Sequence, residues 1–429
     1  MTVLGMSVLL TLLMLIGLPI AFGLILAALI VLLFISPIPL TIVPHTIVNS
    51  VDNWSLLAVP LYILMGELMV AAGITRRLID FALSLVGSFR GALAHASVLS
   101  GIFLSGVSGS ATADAAALGS TLIPAMKDKG YGGGFAANIV GAAAIIGPII
   151  PPSIPMVVYG SLANVSIGRL FLAGIVPGLL MGLTLMATSF FVARRRGLGQ
   201  TSPFSWPVVR TNFLSAGPAF IVPFVVVLGL VAGVFTATES GVIAVAAAIL
   251  IGKLIYRELT LKGIVAASQE TIVSVGAVLI VIAASAIFGK IMALDNVGEL
   301  LVMKLLELAG GQPWLLLLYL NILLLLLGIF IEPLPILILI TPILAEPLAN
   351  LGIDPVQLGV VVILNLMIGM ITAPVGTVMF IVMAIAKVSM REFVRESWPF
   401  MGALVFALIV ITYVPAVTLW LPNLLMGSP

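Results

Sequence analysis

The chain has 429 residues, of which 62% are apolar and only 8% are charged. Soluble domains carry about 25% charged residues, so this composition excludes a soluble globule, a disordered chain and a typical nucleic-acid binder. The formal net charge is only +2, and the absence of cysteine excludes disulfides and thiolate metal sites. The class that remains is a polytopic, all-α membrane protein.

The first apolar run, from Val3 to Ile35, is too long for one comfortable span. Gly17 and Pro19 divide it, so it predicts two short or tilted helices, and no basic region precedes it as in a cleavable signal peptide. Later runs predict spanning helices at about 54–72, 134–164, 168–193, 213–234, 237–256, 272–293, 356–387 and 397–421.

Two further stretches, about 92–126 and 313–348, are interrupted by polar or proline residues and predict re-entrant helical hairpins. The lysines and arginines support this interpretation. If the N-terminus lies outside and both hairpins return to their side of entry, 15 basic residues fall inside and three fall outside. Both termini are therefore predicted outside. The three outer residues are Arg169, Lys290 and Lys304.

The two halves of the chain share a pattern. Gly66 and Met69 recur as Gly289 and Met292, 223 positions later, and Gly-Ile-Phe occurs at both 101–103 and 328–330. Because the two hairpins open from opposite sides, the pattern predicts inverted repeats with broken helices, as in many secondary transporters. The predicted division is a first repeat at 1–196, a cytoplasmic linker at 197–212 and a second repeat at 213–429.

The first hairpin turns in a segment rich in glycine and hydroxyl groups. Ser108, Ser110 and Thr112 supply oxygen atoms that suit a hard cation such as sodium, and a helix N-terminus there would suit a carboxylate. The alternative is that these small residues only allow close helix packing. The first broken helix is interrupted by Gly147–Pro155, whose four prolines exclude a regular helix and free several carbonyl groups.

The second half places Glu332 in the middle of an apolar hairpin and a break at Thr372–Thr377. An intramembrane carboxylate predicts a functional site, so Glu332 is expected to bind sodium, carry a proton or pair internally. Asp114 is interpreted as a residue that caps or braces a turn. The remaining apolar-flanked charges, Glu67, Glu239 and Lys290, are interpreted as structural pairs or interface residues.

Two other classes of function, an intramembrane serine protease and an ion channel, fit the sequence less well. Gly106–Gly109 has the G-x-S-G form of intramembrane serine proteases, which need a histidine base near the serine, and only His45 and His95 exist. An ion channel is disfavoured because no filter sequence or gate pattern is present. No catalytic residue, cofactor or metal other than sodium is predicted.

The segments Gly106–Ser120, Ile150–Pro155 and Asn365–Gly369 resemble the large membrane subunit of tripartite ATP-independent periplasmic (TRAP) transporters, and the likeness covers essentially the whole chain. The resemblance implies an elevator-type transporter in a bacterial or archaeal inner membrane. It also implies sodium-driven import of a small organic acid, such as a C4-dicarboxylate or sialic acid. The implied partners are a small four-helix membrane subunit and a periplasmic solute-binding protein.

The resemblance further implies site residues. One sodium site would involve Ser108, Ser110, Thr112, Pro151 and Ser153, and a second would involve Glu332, Thr372, Gly376 and Thr377. The solute would contact Ser110, Ala111, Thr112, Ser153 and Pro374. The family usually has aspartate followed by small or hydroxylated residues where this chain has Glu332–Pro335. Proton coupling is therefore kept as the alternative to sodium.

Overall fold

The computed structural model describes residues 2–34, 39–198 and 203–427, and the regular structure of these residues is helical. A single 3-10 turn, Trp54–Leu57, precedes α4, and a π-helical turn, Ile251–Ile255, follows α12. The α-helices of the described residues are, in chain order, α1 Thr2–Leu15, α2 Ile20–Phe34, α3 Ile42–Val51, α4 Ala58–Ala71, α5 Ile74–Val86, α6 Ala92–Ser108, α7 Ala111–Asp128, α8 Gly133–Ala144, α9 Ile154–Leu162, α10 Ile167–Arg195, α11 Trp206–Val231, α12 Ala237–Leu250, α13 Leu261–Leu294, α14 Val297–Leu308, α15 Pro313–Phe330, α16 Pro333–Asn350, α17 Pro355–Gly369, α18 Thr377–Ala386, α19 Met390–Tyr413 and α20 Pro415–Met426.

Eight helical segments of the described chain are long and apolar enough to cross a membrane. They have 18 or more residues, and a helix rises 1.5 Å per residue, so each reaches roughly 27 Å or more. This confirms an all-α polytopic membrane protein. The predicted division of the first apolar run is also confirmed, because α1 ends at Leu15 and α2 begins at Ile20.

Two stretches differ from their prediction. The apolar run 397–421 is not one helix, since α19 ends at Tyr413 and α20 begins at Pro415. Val414 between them is extended, with φ −117° and ψ 84°, as proline disfavours helical geometry in the residue before it. The predicted linker 197–212 is shorter than expected because α11 begins at Trp206. Residues 199–202 of that linker lie outside the described residues.

Both predicted hairpins consist of two helices joined by two residues: Gly109 and Ser110 between α6 and α7, and Ile331 and Glu332 between α15 and α16. Both predicted broken helices are interrupted as expected, α8 from α9 and α17 from α18. The starts of α5, α9 and α10 recur 223 positions later as the starts of α14, α18 and α19. The boundaries of the two repeats and their opposite orientations in a membrane remain predictions.

The core is built by contacts between the two halves. Helices α8 and α17 are buried on nearly every face. Helix α7 of the first hairpin packs against α18, and α16 of the second hairpin packs against α9. Helices α15 and α17 approach so closely that a Cβ on Gly369 would collide with the backbone of Gly328. Each hairpin is therefore held next to the broken helix of the other half.

Candidate functional site

Four helices begin where the hairpins turn and where the broken helices resume. These are α7 at Ala111, α16 at Pro333, α9 at Ile154 and α18 at Thr377. The first turn of a helix has N–H groups without intrahelical partners and carries a partial positive charge. Each start therefore offers hydrogen-bond donors to an anion.

The starts of α7, α9 and α16 line one cavity of about 130 Å³. No lysine or arginine lines it in the described part of the chain, and its one ionisable lining residue is Glu332. The cavity confirms that the two hairpin turns, far apart in sequence, lie next to each other. Its lining consists of Gly109, Ser110, Ala111, Thr112, Pro148, Ile154, Pro155, Glu332, Pro333, Leu334, Met367 and Met370.

The first hairpin turn is organised around Asp114, which was interpreted from the sequence as a residue that caps or braces a turn. Asp114 is 1% exposed, and its Oδ1 accepts a 2.5 Å hydrogen bond from Ser108 Oγ. Its Oδ2 is buried without a hydrogen-bond partner and faces Gly147, where any Cβ would collide with it. The sequence places Asp114 directly after the serine-rich turn, which marks it as a candidate residue of the site. The direction of its side chain, however, depends on how α7 packs against the α8–α9 break.

The hydroxyl groups of the same turn lie at its surface. Ser110 caps the start of α7, where its side chain accepts a hydrogen bond from Ala113 N, and its Oγ lies 3.1 Å from Thr112 Oγ1. Ser110, Ala111 and Thr112 all face the cavity, as the solute and ion predictions require.

The α8–α9 break contacts this turn through its backbone. A Cβ on Gly109 would lie 3.0 Å from the carbonyl oxygen of Pro152, and Gly109 has a φ of +59° that favours glycine. The Ser153 hydroxyl is buried and donates a 2.5 Å hydrogen bond to the carbonyl oxygen of Pro148. Neither Pro151 nor Ser153 lines the cavity, so the break presents Pro148, Ile154 and Pro155 there instead.

The second hairpin turn lies against the α17–α18 break around a smaller cavity of about 50 Å³, which Glu332, Gly376 and Thr377 line. Thr377 Oγ1 is buried without a hydrogen-bond partner. Glu332 is exposed and is the N-cap residue that precedes α16, and its side chain makes no capping hydrogen bond there. A carboxylate and a free hydroxyl group therefore face the same space.

Two predicted residues of the second half are not brought into these cavities. Thr372 lies in the α17–α18 break, and its Oγ1 donates a 2.7 Å hydrogen bond to the carbonyl oxygen of Ile368 near the end of α17. Pro374 is exposed and lines neither cavity. The sequence could identify the break but not which of its residues face inward.

The three charged residues that were interpreted as structural pairs or interface residues, Glu67, Glu239 and Lys290, lie in different surroundings. Glu239 forms a capping box with Thr236 at the start of α12, which is a structural role. Glu67, in contrast, lines a third cavity beside the first hairpin turn. Lys290 is exposed on α13.

The histidines do not form a protease site. His95 lies in the first turn of α6 and Ser108 is the last residue of that helix, so the two are about 20 Å apart along it. His45 is on α3 and hydrogen-bonds Asn49. His95 is therefore not placed to act as a base toward Ser108.

Comparison with known proteins identifies the family to which the chain is similar. A family model described as "Tripartite ATP-independent periplasmic transporter, DctM component" matches residues 7–417. The sialic acid TRAP transporter large permease protein SiaM of Vibrio cholerae is 38% identical over 414 residues, which cover 96% of each chain. The C4-dicarboxylate TRAP transporter large permease protein DctM of the same organism is 35% identical over 435 residues, again covering 96% of each chain.

A longer relative and a solved structure extend the comparison. The isethionate TRAP transporter permease protein DctMQ of Oleidesulfovibrio alaskensis is 36% identical over 406 residues, which cover 94% of this chain and 64% of that protein. The crystal structure of the Alcanivorax borkumensis YdaH transporter aligns with a TM-score of 0.62 over 90% of this chain and 91% of that one. Its sequence identity is 17%, so it supports the fold alone.

Proposed function

Because the chain belongs to the DctM family, the large membrane component of TRAP transporters, we propose that it imports a small organic acid and couples this import to sodium. As a member of this family, the chain is a transporter and not an enzyme. The acid is a carboxylate of the kind named for its relatives, such as sialic acid or a C4-dicarboxylate. A periplasmic binding protein delivers the solute, a small membrane subunit completes the transporter, and both work at the bacterial or archaeal inner membrane.

One observation carries the proposal: both hairpin turns and three helix N-termini meet at one cavity, and no basic side chain of the described residues lines it. A carboxylate there would be held by the free N–H groups at the starts of α7, α9 and α16, where Pro155, Pro333 and Pro335 supply none, and by the hydroxyl groups of Ser110 and Thr112. The negative charge of Glu332 opposes anion binding, so a cation must accompany the solute. This requirement couples the solute to the ion.

The two turns supply separate oxygen groups for such cations. At the first turn, Asp114 Oδ2 has no hydrogen-bond partner and faces the α8–α9 break. At the second, Glu332 and Thr377 line one small cavity. Carboxylate, hydroxyl and carbonyl oxygens are the ligands that hard cations prefer.

The proposed cycle follows from the position of these groups. Sodium binding orders both turns, and the solute and ions are then enclosed together. The hairpins and broken helices move as one body, in an elevator-type step, and release solute inside. Ion binding drives this cycle only to the extent that affinity differs between the two end states.

The test is uptake of sialic acid and C4-dicarboxylates by proteoliposomes that contain the chain with its small subunit and its binding protein. We expect uptake with an imposed inward sodium gradient and none with a potassium gradient. Uptake that instead follows a proton gradient would favour the proton-coupled alternative, in which Glu332 carries the proton. No uptake under either gradient would contradict the proposal.

Variants assign the ion sites within the same assay. We expect Asp114→Asn and the double variant Ser110→Ala, Thr112→Ala to raise the sodium concentration for half-maximal uptake, and Glu332→Gln to weaken the sodium dependence. Ser120→Ala is the control, because its hydroxyl is exposed on α7 and hydrogen-bonds only Ala117 O. Unchanged sodium dependence in all of the site variants would remove both proposed sites.

A further inference from the structure

Glu67 is a carboxylate without a partner on a membrane-spanning helix. It lies in the last third of α4, four residues before the end of a segment apolar enough to span a membrane, and is half-buried. In the described part of the chain it makes no ion pair and no hydrogen bond. A charge at this depth is costly unless a cation, a proton or a polar partner compensates it.

The cavity that Glu67 lines provides further oxygen atoms. It has a volume of about 170 Å³, and its polar lining residues are Glu67, Ser274 of α13, and Ser108 and Ser110 of the first hairpin turn. The Ser274 hydroxyl makes no hydrogen bond to another described residue. No lysine or arginine lines the cavity in the described chain, so protein groups leave its negative charge uncompensated.

The cavity lies where a bound ion would hold the hairpin turn to α4 and α13. Helix α4 already packs closely on the turn, since a Cβ on Gly66 would lie 3.1 Å from the carbonyl oxygen of Val107. The cavity also adjoins the proposed solute cavity, with which it shares Ser110, Ile154 and Leu334. An ion here would contribute positive charge near the solute carboxylate.

The chemistry favours a monovalent hard cation. One carboxylate and three hydroxyl groups match the oxygen ligands of such ions, and the volume leaves room for several water molecules. Glu270 of α13 adds a second negative charge near Glu67 and increases the attraction.

We propose that Glu67, Ser274 and the hairpin-turn serines bind a sodium ion in this cavity, separate from the ions at Asp114 and Glu332. The proposal rests on the proposed sodium-coupled function. It assigns to Glu67 a ligand role in place of the structural pair that the sequence suggested. A sodium ion in this cavity would also connect α4 and α13 directly to the hairpin turn.

The test is thermal unfolding of the purified full-length chain in detergent, in sodium chloride balanced by choline chloride at constant ionic strength. Ligand that binds only the folded state stabilises it, and near saturation the rise of apparent Tm with the logarithm of sodium concentration measures how many ions bind. We expect Glu67→Gln and Ser274→Ala each to reduce this slope by the equivalent of one ion. Glu307→Gln makes the same carboxylate-to-amide change on the exposed face of α14 and should keep the wild-type slope.

The outcomes separate this proposal from the previous one. A wild-type slope in both Glu67→Gln and Ser274→Ala overturns the Glu67 site but leaves sodium coupling supported. If the wild-type protein itself has no sodium-specific slope, the sodium coupling fails, and the Glu67 site fails with it. If Glu67→Gln does not fold, Ser274→Ala alone decides, because it removes one hydroxyl group from a half-buried position.

Discussion

Lys127 Nζ donates a 2.9 Å hydrogen bond to the main-chain carbonyl oxygen of Ala386. Lys127 lies in the last turn of α7, and Ala386 is the last residue of α18. The C-terminal end of a helix has free carbonyl groups and a partial negative charge, which a lysine complements. This contact joins the end of the first hairpin to the end of the second broken helix, so the two proposed moving elements are tied together across the halves.

Loss of this contact should destabilise the protein. We expect Lys127→Met to lower the apparent free energy of unfolding by roughly 0.5–1.5 kcal/mol, the range for a hydrogen bond with a helix-dipole contribution. Lys129→Met is the control, since it removes a nearby exposed lysine from the end of the same helix. Thermal unfolding measures both, and equal effects of the two variants would contradict a specific role for Lys127.

The close contact at Gly109 should be necessary for ion binding. Gly109→Ala places a Cβ 3.0 Å from Pro152 O at a φ of +59°, whereas Gly130→Ala has a φ of +82° with nothing within 4 Å. Both variants carry backbone strain of about 1–2 kcal/mol, but only Gly109→Ala disturbs the contact with the break. We therefore expect Gly109→Ala alone to weaken sodium-dependent stabilisation, measured by thermal unfolding in sodium and in choline. A similar loss in Gly130→Ala would assign the effect to strain.

A buried polar network should stabilise the second half. Asn365 Nδ2 donates a 2.7 Å hydrogen bond to Asn321 Oδ1, and Asn321 Nδ2 donates a 3.0 Å hydrogen bond to Thr412 Oγ1. Asn321→Leu removes both hydrogen bonds and leaves the Thr412 hydroxyl buried without a partner, while Asn365 Nδ2 keeps its hydrogen bond to Val361 O, so we expect a loss of about 1–3 kcal/mol in the free energy of unfolding. Asn212→Leu, which breaks one exposed hydrogen bond to Asp80 O, should cost less than about 0.5 kcal/mol. Thermal unfolding compares the two, and an Asn321→Leu protein as stable as Asn212→Leu would show that the network contributes little.

An ion pair outside the spanning helices should give a pH-dependent contribution. Arg77 Nη2 lies 2.6 Å from Glu258 Oε1, and this hydrogen bond lowers the pKa of the Glu258 carboxyl. The contribution is therefore complete above the unfolded pKa of about 4.3 and is lost as the pH falls through the lower folded pKa. We expect wild type to exceed Glu258→Gln in stability by about 0.2–1 kcal/mol at pH 7, and the difference to vanish on acidification.

Unfolding of both proteins from pH 7 down to pH 3 measures this difference, with Glu307→Gln as the control variant. The same experiment in high salt should reduce the difference at pH 7, because salt screens exposed charges. A difference between wild type and Glu258→Gln that stays constant over the whole pH range would show that the substitution acts through packing and not through charge.

The sequence by itself determined which segments are helical and where they are interrupted. Apolar length set the spans, while Gly109, Ser110 and the prolines near 148–155 and 374 set the turns and breaks, because the backbone limits of glycine and proline act locally. A local rule also explains why α19 ends at Tyr413, because Val414 precedes Pro415, but the apolar run continues through this boundary and hid it from the prediction.

Only the tertiary structure decided which of these segments meet and which side chains face the cavities. Asp114 points to the α8–α9 break, Glu67 faces the first hairpin turn, and the Thr372 hydroxyl bonds back to the end of α17. These directions depend on packing between helices such as α7 and α18, whose contacts join residues more than 250 positions apart. Hydropathy and local backbone preference carry no information about such partners, so the sequence could identify the site's segments but not the arrangement of its charges.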